Sequence, residues 1–98
     1  NEFDTFIRIE QGYAELMRHM REANDALSFF VGGDNVIVIC PALDAGDYEA
    51  AIDHVSDEVD VDLKVGVSRG RTAADAGMAA KHALEDCRAA GTAIELGF

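Results

Sequence analysis

The 98-residue sequence predicts an α+β fold, in which three amphipathic helices alternate with short β-strands. Apolar residues recur at helical spacing in three segments, and β-branched or aromatic residues cluster in the segments between them. Hydrophobic residues make up 49% of the chain and charged residues 28%, which is typical of a folded domain. The length suits one small core, so we expect residues 1–98 to form a single domain.

The first part of the chain predicts a helix followed by a β-hairpin. Apolar spacing indicates a helix over residues 3–23, whose stripe of Phe and Met side chains we expect in the core. Strands are expected at residues 27–31 and 36–40, separated by the tetrapeptide Gly32-Gly33-Asp34-Asn35. Because glycine tolerates positive φ, this tetrapeptide is typical of a hairpin turn.

A helix and a strand follow the hairpin. Residues 45–58 have a helical apolar pattern, and Asp44 is the expected N-cap because its carboxylate can accept a hydrogen bond from the first turn. Apolar and polar residues then alternate over residues 61–68, which is the clearest strand pattern in the chain.

A third helix and a short last strand complete the predicted order αββαβαβ. Thr72 opens this helix as a capping residue, Gly91 ends it, and residues 92–96 are the expected last strand. This order is that of a ferredoxin-like fold, normally βαββαβ, without its first strand. Both faces of the hairpin strands are apolar, so we expect another domain or a second copy of the chain to cover the open face of the sheet.

The chain is strongly acidic. Nineteen Asp and Glu residues stand against eight Lys and Arg residues, which gives a formal net charge of −11. Contacts to nucleic-acid phosphates and anionic lipids require Lys and Arg, so these two classes of partner are excluded. No apolar run approaches the length of a membrane span. We expect a halophilic source, where acidic surfaces keep proteins soluble; an ordinary acidic cytosolic protein is the alternative.

The residue types that most often carry chemistry show no catalytic or metal-binding pattern. The P-loop, HExxH and GxSxG signatures do not occur in the sequence. His19, His54 and His82 fall on three different predicted helices without metal-ligand spacing, and we expect them to be surface or packing residues. Cys40 and Cys87 form no CxxC pair and are expected to be buried, free thiols, which predicts a reducing, cytoplasmic location.

The hairpin tetrapeptide is the first candidate site. Gly32 and Gly33 allow backbone N–H groups to approach a phosphate, and Asp34 offers the carboxylate oxygens that Mg²⁺ prefers. An ordinary hairpin turn has a similar composition, so this tetrapeptide alone leaves both interpretations open.

Basic residues form the second candidate site. Five of the eight Lys and Arg residues fall within residues 64–88 of this acidic chain: Lys64, Arg69, Arg71, Lys81 and Arg88. Cations beside a metal ion are suited to binding a polyphosphate. We favour this function for Lys64 and Arg71, while Lys81 and Arg88 are equally well explained as ordinary charges on a helix surface.

Two segments carry specific motifs, FFVGGDN at residues 29–35 and LKVGVSRGRTAADA at residues 63–76. Together they closely resemble the C-terminal half of archaeal GTP cyclohydrolase III. The resemblance continues through residues 83–88. GGDEF-type nucleotide cyclases are wider relatives; Asn35 stands where they have a glutamate, and Arg88 stands where they have a phosphate-contacting lysine.

This resemblance implies a Mg²⁺-dependent enzyme that opens the imidazole ring of GTP by hydrolysis and releases phosphate. The product is a formylamino-pyrimidine ribonucleotide 5′-phosphate. The family has two palm-like halves, with sites between halves and between subunits. The chain is therefore expected to be the C-terminal palm-like half of a two-half enzyme that forms a homo-oligomer. It is expected to begin after the first strand of that half and to be inactive alone.

The resemblance also implies roles for individual residues. Asp34 and Asn35 would hold Mg²⁺, and catalysis would depend on Asp34, Lys64 and Arg71. The expected nucleotide-binding residues are Gly32, Gly33, Asn35, Lys64, Arg71 and Arg88. The alternative function is a non-catalytic GGDEF-like module that binds a nucleotide or supports oligomerisation.

The charge of the chain predicts that salt stabilises it. Acidic side chains repel one another, and the Debye length falls from ~10 Å at 0.1 M to ~3 Å at 1 M ionic strength. We therefore expect the melting temperature of the full-length protein to rise between roughly 0.1 M and 1 M KCl. A melting temperature that stays constant or falls over this range would contradict the halophilic interpretation.

Overall fold

Three helices and four strands follow one another in the predicted order along the part of the chain that the structure describes. The structure is a computed structural model and describes residues 1–32 and 35–97. The elements are α1 (Glu2–Asn24), β1 (Leu27–Gly32), β2 (Asn35–Ile39), α2 (Ala45–Val59), β3 (Val65–Val67), α3 (Ala73–Ala90) and β4 (Ile94–Leu96). The α+β class is confirmed, with an antiparallel pair of strands, β1–β2, and a parallel pair, β3–β4. Across the described residues, no helix combines the length and the hydropathy that a membrane span needs.

The chain divides into two compact units, Asn1–Asp62 and Leu63–Phe98. The first contains α1, the β1–β2 hairpin and α2, and the second contains β3, α3 and β4. Each unit has buried apolar side chains of its own: Met20, Ala26, Tyr48, Ala51 and Val55 in the first, and Ala83 and Cys87 in the second.

Capping side chains and a glycine fix the ends of α2 and α3. Asp44 and Asp47 form a reciprocal capping box at the start of α2, as predicted for Asp44. The Thr72 hydroxyl accepts a hydrogen bond from the Asp75 N–H at the start of α3, at 3.1 Å. Gly91 ends α3 in the left-handed conformation, with φ at 71°, which glycine adopts without strain. The predicted boundaries of these helices are therefore confirmed to within a residue or two.

The core of the first unit is small. Met20, Ala26 and Ala51 are buried together, and partly buried apolar side chains surround them: Leu16, Val38, Cys40 and Leu43. The helical pattern predicted Phe3 and Phe6 in the core as well, but they are 70% and 57% exposed. That prediction is wrong for this chain, because periodicity identifies which face of a helix is apolar and not which element covers it.

One face of the hairpin is apolar and exposed. Leu27 lies opposite Ile39, and Phe29 lies opposite Ile37, in the antiparallel register. Alternate residues of a strand share a face, so these four side chains form a continuous patch, which we call the hairpin face. Their exposed fractions lie between 48% and 60%. On the opposite face Val38 contacts the core, while Phe30 is 49% exposed.

The strand predicted over residues 61–68 is shorter in the structure, where β3 comprises Val65–Val67. Its ladder with β4 runs from the Val65–Ile94 pair to the Val67–Leu96 pair. Val61 belongs to the first unit, and its side chain lies against Gly12 of α1, within 3.3 Å of the position of a Cβ on that glycine. The alternating pattern before Val65 therefore reflects half-buried packing and not strand pairing.

The capping box predicts the effect of one substitution. Asp44 Oδ1 accepts a hydrogen bond from the Asp47 N–H at 3.0 Å, and this bond is lost in Asp44→Ala. We expect the substitution to lower the free energy of unfolding by about 1 kcal/mol, measured by urea denaturation of the full-length protein. Asp53→Ala, at an exposed position in the middle of α2, is the matched control and should change it by less than about 0.5 kcal/mol. Equal effects of the two substitutions would contradict the capping role.

Candidate functional site

The first candidate site lies at the turn of the hairpin. β1 ends at Gly32 and β2 begins at Asn35, and these two residues are paired across the hairpin. The pairing register shifts between Phe30 and Gly32, an irregularity that is common next to functional sites because it re-aims the end of a strand. The predicted site residues Gly33 and Asp34 lie outside the described residues.

An aromatic contact supports the strand that leads to this turn. The rings of Tyr13 on α1 and Phe30 on β1 meet edge to face, with centroids 5.4 Å apart and planes at 87°. Aromatic pairs of this geometry contribute about 0.5–1.5 kcal/mol beyond the area that they bury. The end of β1 is thus held against the middle of the longest helix in the described residues.

The second candidate site is the segment that joins β3 to α3, where two glycines allow close backbone contact. A Cβ on Gly66 would overlap the backbone nitrogen of Leu84 and lie 2.5 Å from the carbonyl oxygen of Ala80. A Cβ on Gly70 would lie 2.5 Å from the backbone nitrogen of Ala76. Real Cβ atoms do not approach backbone atoms this closely, so both positions require glycine if the packing is to be kept.

Sequence reasoning assigned no role to Gly66 or Gly70 outside their motif. A signal was available for Gly66, because an isolated glycine within an alternating strand pattern often marks a close approach of another backbone. Cys87 adds to the same packing, since its buried thiol donates a hydrogen bond to the Val65 carbonyl at 3.2 Å. The prediction that Cys87 is a buried, free thiol is confirmed.

The predicted cations of the second unit lie at two ends of the β3–α3 pair. α3 runs antiparallel to β3, because Val65 contacts Cys87 whereas Gly70 contacts Ala76. Lys64 precedes β3, and Arg88 lies in the last turn of α3. These two residues therefore share one end of the unit, and Arg71, which precedes Thr72 at the start of α3, lies at the other.

Lys64 and Arg71 differ in their surroundings. Lys64 Nζ donates a hydrogen bond to the Thr92 carbonyl oxygen at 3.0 Å, which ties the segment before β3 to the loop before β4. Lys64 is exposed, and an ammonium group has three N–H donors, so an anion could share it with the Thr92 carbonyl. Arg71 is exposed one residue before the Thr72 cap, so its guanidinium lies near the positive end of the α3 dipole.

The described residues offer limited support for a metal site. Within residues 1–32 and 35–97, no group of three or more His, Cys, Asp or Glu side chains could hold a metal ion. The Mg²⁺ prediction rests on Asp34 and Asn35, and only Asn35 belongs to the described part of the chain. Gly32 and Asn35 lie in the first unit, whereas Lys64, Arg71 and Arg88 lie in the second.

Comparison with known proteins identifies the family. A model of the GTP cyclohydrolase III family matches residues 1–96, so the chain belongs to the GTP cyclohydrolase III family. The match includes the hairpin and the complete β3–α3 segment. The resemblance inferred from the two sequence motifs is thus confirmed.

Curated relatives from halophilic archaea match nearly the whole chain. GTP cyclohydrolase III of Natronomonas pharaonis is 64% identical over 95 residues, which cover 97% of this chain and 38% of the relative. GTP cyclohydrolase III of Halorubrum lacusprofundi is 57% identical over 96 residues, covering 98% of this chain and 37% of the relative. GTP cyclohydrolase III 1 of Halobacterium salinarum is 62% identical over 93 residues, which cover 95% of this chain and 36% of the relative. The chain therefore spans little more than a third of the length of these relatives, and their source supports the halophilic origin predicted from its charge.

The close packing of β3 on α3 predicts opposite effects for two glycine substitutions. Gly66→Ala forces a methyl group into the backbone of α3 and should lower the free energy of unfolding by about 3 kcal/mol or more. Gly77→Ala is the matched control, because no atom lies within 4 Å of the added methyl group. Alanine has the higher helix propensity, so this second substitution should raise the free energy of unfolding by up to about 1 kcal/mol. Urea denaturation of both variants measures the difference, and a neutral Gly66→Ala would contradict the packing.

Proposed function

We propose that the complete protein is a GTP cyclohydrolase of type III. It hydrolyses GTP, opens the imidazole ring of the base and releases phosphate, and it leaves a formylamino-pyrimidine ribonucleotide 5′-phosphate. The observation that carries this proposal is the family match over residues 1–96, which includes both the GGDN hairpin and the β3–α3 segment. The names of the matched relatives support an enzyme over the alternative of a non-catalytic GGDEF-like module.

The chain contributes one palm-like half of this enzyme. The relatives are much longer than residues 1–98, which leaves room for a second palm-like half and for the first strand of a ferredoxin-like sheet. The hairpin face is apolar and exposed, which suits contact with another apolar surface. In this proposal that surface belongs to the other half of the enzyme or to another subunit of a homo-oligomer. The isolated chain is accordingly expected to be inactive. The two free thiols suit a cytoplasmic location.

The cations of the second unit are assigned to the phosphate groups of GTP. Arg71 is exposed beside the N-terminus of α3, where the helix dipole also favours an anion. Gly70 allows the chain before this helix to lie directly against its first turn. Charge that develops on phosphoryl oxygens would be stabilised there, whereas Lys64 and Arg88, at the other end of the unit, would contact a different part of the nucleotide or of a neighbouring half.

Magnesium is part of the proposal through Asp34 and Asn35. A carboxylate and an amide or backbone oxygen are the hard ligands that Mg²⁺ prefers, and the ion would offset phosphate charge and activate water. Two residues do not complete a coordination shell, so further ligands from the rest of the protein or from the nucleotide are required. The roles proposed for Lys64, Arg71 and Arg88 do not depend on this ion.

Turnover assays on the full-length protein test the proposal. With GTP and Mg²⁺ present, we expect a product whose mass matches the ring-opened nucleotide, together with released phosphate. Asp34→Asn and Arg71→Gln should each reduce turnover by about 10²-fold or more, because the first would weaken the binding of Mg²⁺ and the second would remove a positive charge that faces developing negative charge on phosphate. The melting temperature of Arg71→Gln should stay nearly unchanged, since substitutions at exposed positions usually alter stability by less than about 0.5 kcal/mol, and we expect the same of Asp34→Asn.

Arg21→Gln is the matched control for Arg71→Gln. Arg21 lies on α1, where it forms an exposed ion pair with Asp25 at 2.5 Å. Its substitution removes the same charge without touching either candidate site, so turnover should stay at the wild-type level. Wild-type turnover in both Asp34→Asn and Arg71→Gln would contradict the assignment of the site, and the absence of ring-opened product in the wild type would contradict the function itself.

A further inference from the structure

Two histidines are stacked between α1 and α2. The rings of His19 on α1 and His54 on α2 have centroids 4.9 Å apart and planes inclined by only 27°. The two helices pack against each other, and α1 also packs against β1. All of these elements belong to the first unit, so the stacked pair lies within one compact body.

A carboxylate forms a hydrogen bond with one ring of the pair. Glu15, one helical turn before His19, accepts a hydrogen bond from His54 Nε2, with 3.0 Å between Oε2 and the nitrogen. Glu15 is also paired with Arg18 of the same helix. The side chains of His54 and Glu15 are 33% and 18% exposed, so this contact is only partly screened by water.

Other acidic residues lie one helical turn from the pair on the same two helices. Glu22 lies one turn after His19 on α1 and favours its protonated form. Asp57 and Glu58 lie one turn after His54 on α2, where both are exposed. β1, the other element packed on α1, has no ionisable side chain among its residues Leu27–Gly32.

Protonation of His19 is disfavoured by its position. Burial lowers the pKa of His19 below its ordinary value of 6.5, and the positive charge of protonated His54 lowers it further, while Glu22 acts in the opposite direction. The hydrogen bond from His54 lowers the pKa of Glu15, opposed by burial and helped by Arg18. Two protons on the pair would place two positive charges in stacked rings.

We infer that the His19–His54 stack is a pH-sensitive contact that holds α1 against α2 when it carries at most one proton and loosens these helices when it carries two. The loosened helices would disturb the core around Met20 and Ala51, because these two residues lie on α1 and α2. The hairpin would be affected as well, since Tyr13 of α1 contacts Phe30 of β1.

The folded chain is expected to lose stability as the pH falls, because folding lowers the pKa of His19. In the unfolded chain His19 binds its proton near its ordinary pKa of 6.5, whereas the folded chain binds it only at lower pH. Stability from this group is therefore complete above pH 6.5 and is lost as the pH falls through the lowered pKa of His19. The lowered pKa of Glu15 affects stability only below about its ordinary value of 4.5. The contributions of Glu15 and His19 to the pH dependence of stability therefore fall in different pH ranges.

Thermal unfolding of the full-length protein between pH 5 and pH 8 tests the inference. His19→Phe keeps an aromatic ring against His54 but cannot take up a proton. We expect the melting temperature of the wild type to fall between pH 8 and pH 5 by roughly 2–4 °C more than that of His19→Phe. His82→Phe is the matched control, because His82 is 70% exposed on α3, and its pH profile should follow that of the wild type.

A second measurement applies even if His19→Phe does not fold. Nuclear magnetic resonance of selectively labelled histidines in the wild-type protein reports the protonation of each ring. His19 should take up its proton only below its ordinary pKa of 6.5. Parallel pH profiles for the wild type and His19→Phe, or a His19 that titrates at pH 6.5 or above, would overturn the inference.

Discussion

The approach of α3 to β3 at Gly66 is the contact on which the second unit depends. The absence of a side chain at this position brings the backbone of α3 against the strand, close to Ala80 and Leu84. This approach in turn places the Cys87 thiol within hydrogen-bonding distance of the Val65 carbonyl. The direction and distance of α3 are thus determined by backbone contacts, which vary less than contacts between long side chains. A segment held in this way is suited to present Arg71 in a fixed position.

The first unit is held together differently, by a few apolar side chains between two helices and a hairpin. Its core around Met20, Ala26 and Ala51 is small, while the hairpin face, with Phe29 and Ile37, is exposed. Apolar area that stays exposed to water contributes nothing to folding, whereas its burial would stabilise the folded state by about 25 cal/mol per Å². A further partner that covers this face would stabilise the unit considerably, which agrees with relatives more than twice as long as this chain. The first unit therefore leaves an apolar surface that a further partner could cover.

The sequence predicted local structure more reliably than packing. The order of elements and the caps at Asp44, Thr72 and Gly91 were correct, because caps and turns depend on residues within a few positions of each other. The length of β3 was wrong, since a strand extends only where its partner does, and β4 pairs with three residues. The burial of Phe3 was wrong for a related reason, because the element that covers an apolar face can be distant in sequence or absent from the chain.

For the candidate sites, too, the sequence predicted the local motifs but not how distant residues pack together. Motif resemblance identified the family from residues 29–35 and 63–76, and the comparisons confirmed it. Resemblance could not show that Lys64 and Arg88 share one end of the second unit while Arg71 lies at the other, because this depends on the direction of α3 against β3. The stacked pair of His19 and His54 was also beyond sequence reasoning, since residues 35 positions apart meet only when α1 packs on α2.

The acidic composition is compatible with this fold because many of the charges occupy favourable positions. Asp4, Asp47 and Asp75 lie in the first turns of α1, α2 and α3, where the helix dipole stabilises negative charge by about 0.3–1 kcal/mol each. Asp25 and Asp60 occupy the opposite ends of α1 and α2, in the left-handed conformation, where the dipole opposes them. Arg21 compensates for Asp25 through an ion pair, but the last turn of α2 contains no basic residue. With a net charge of −11, the remaining repulsion cannot be neutralised by the eight cations of the chain, so counterions from the solvent must take this role. Five of these eight cations belong to the second unit, so the positive charge of this acidic chain is concentrated there.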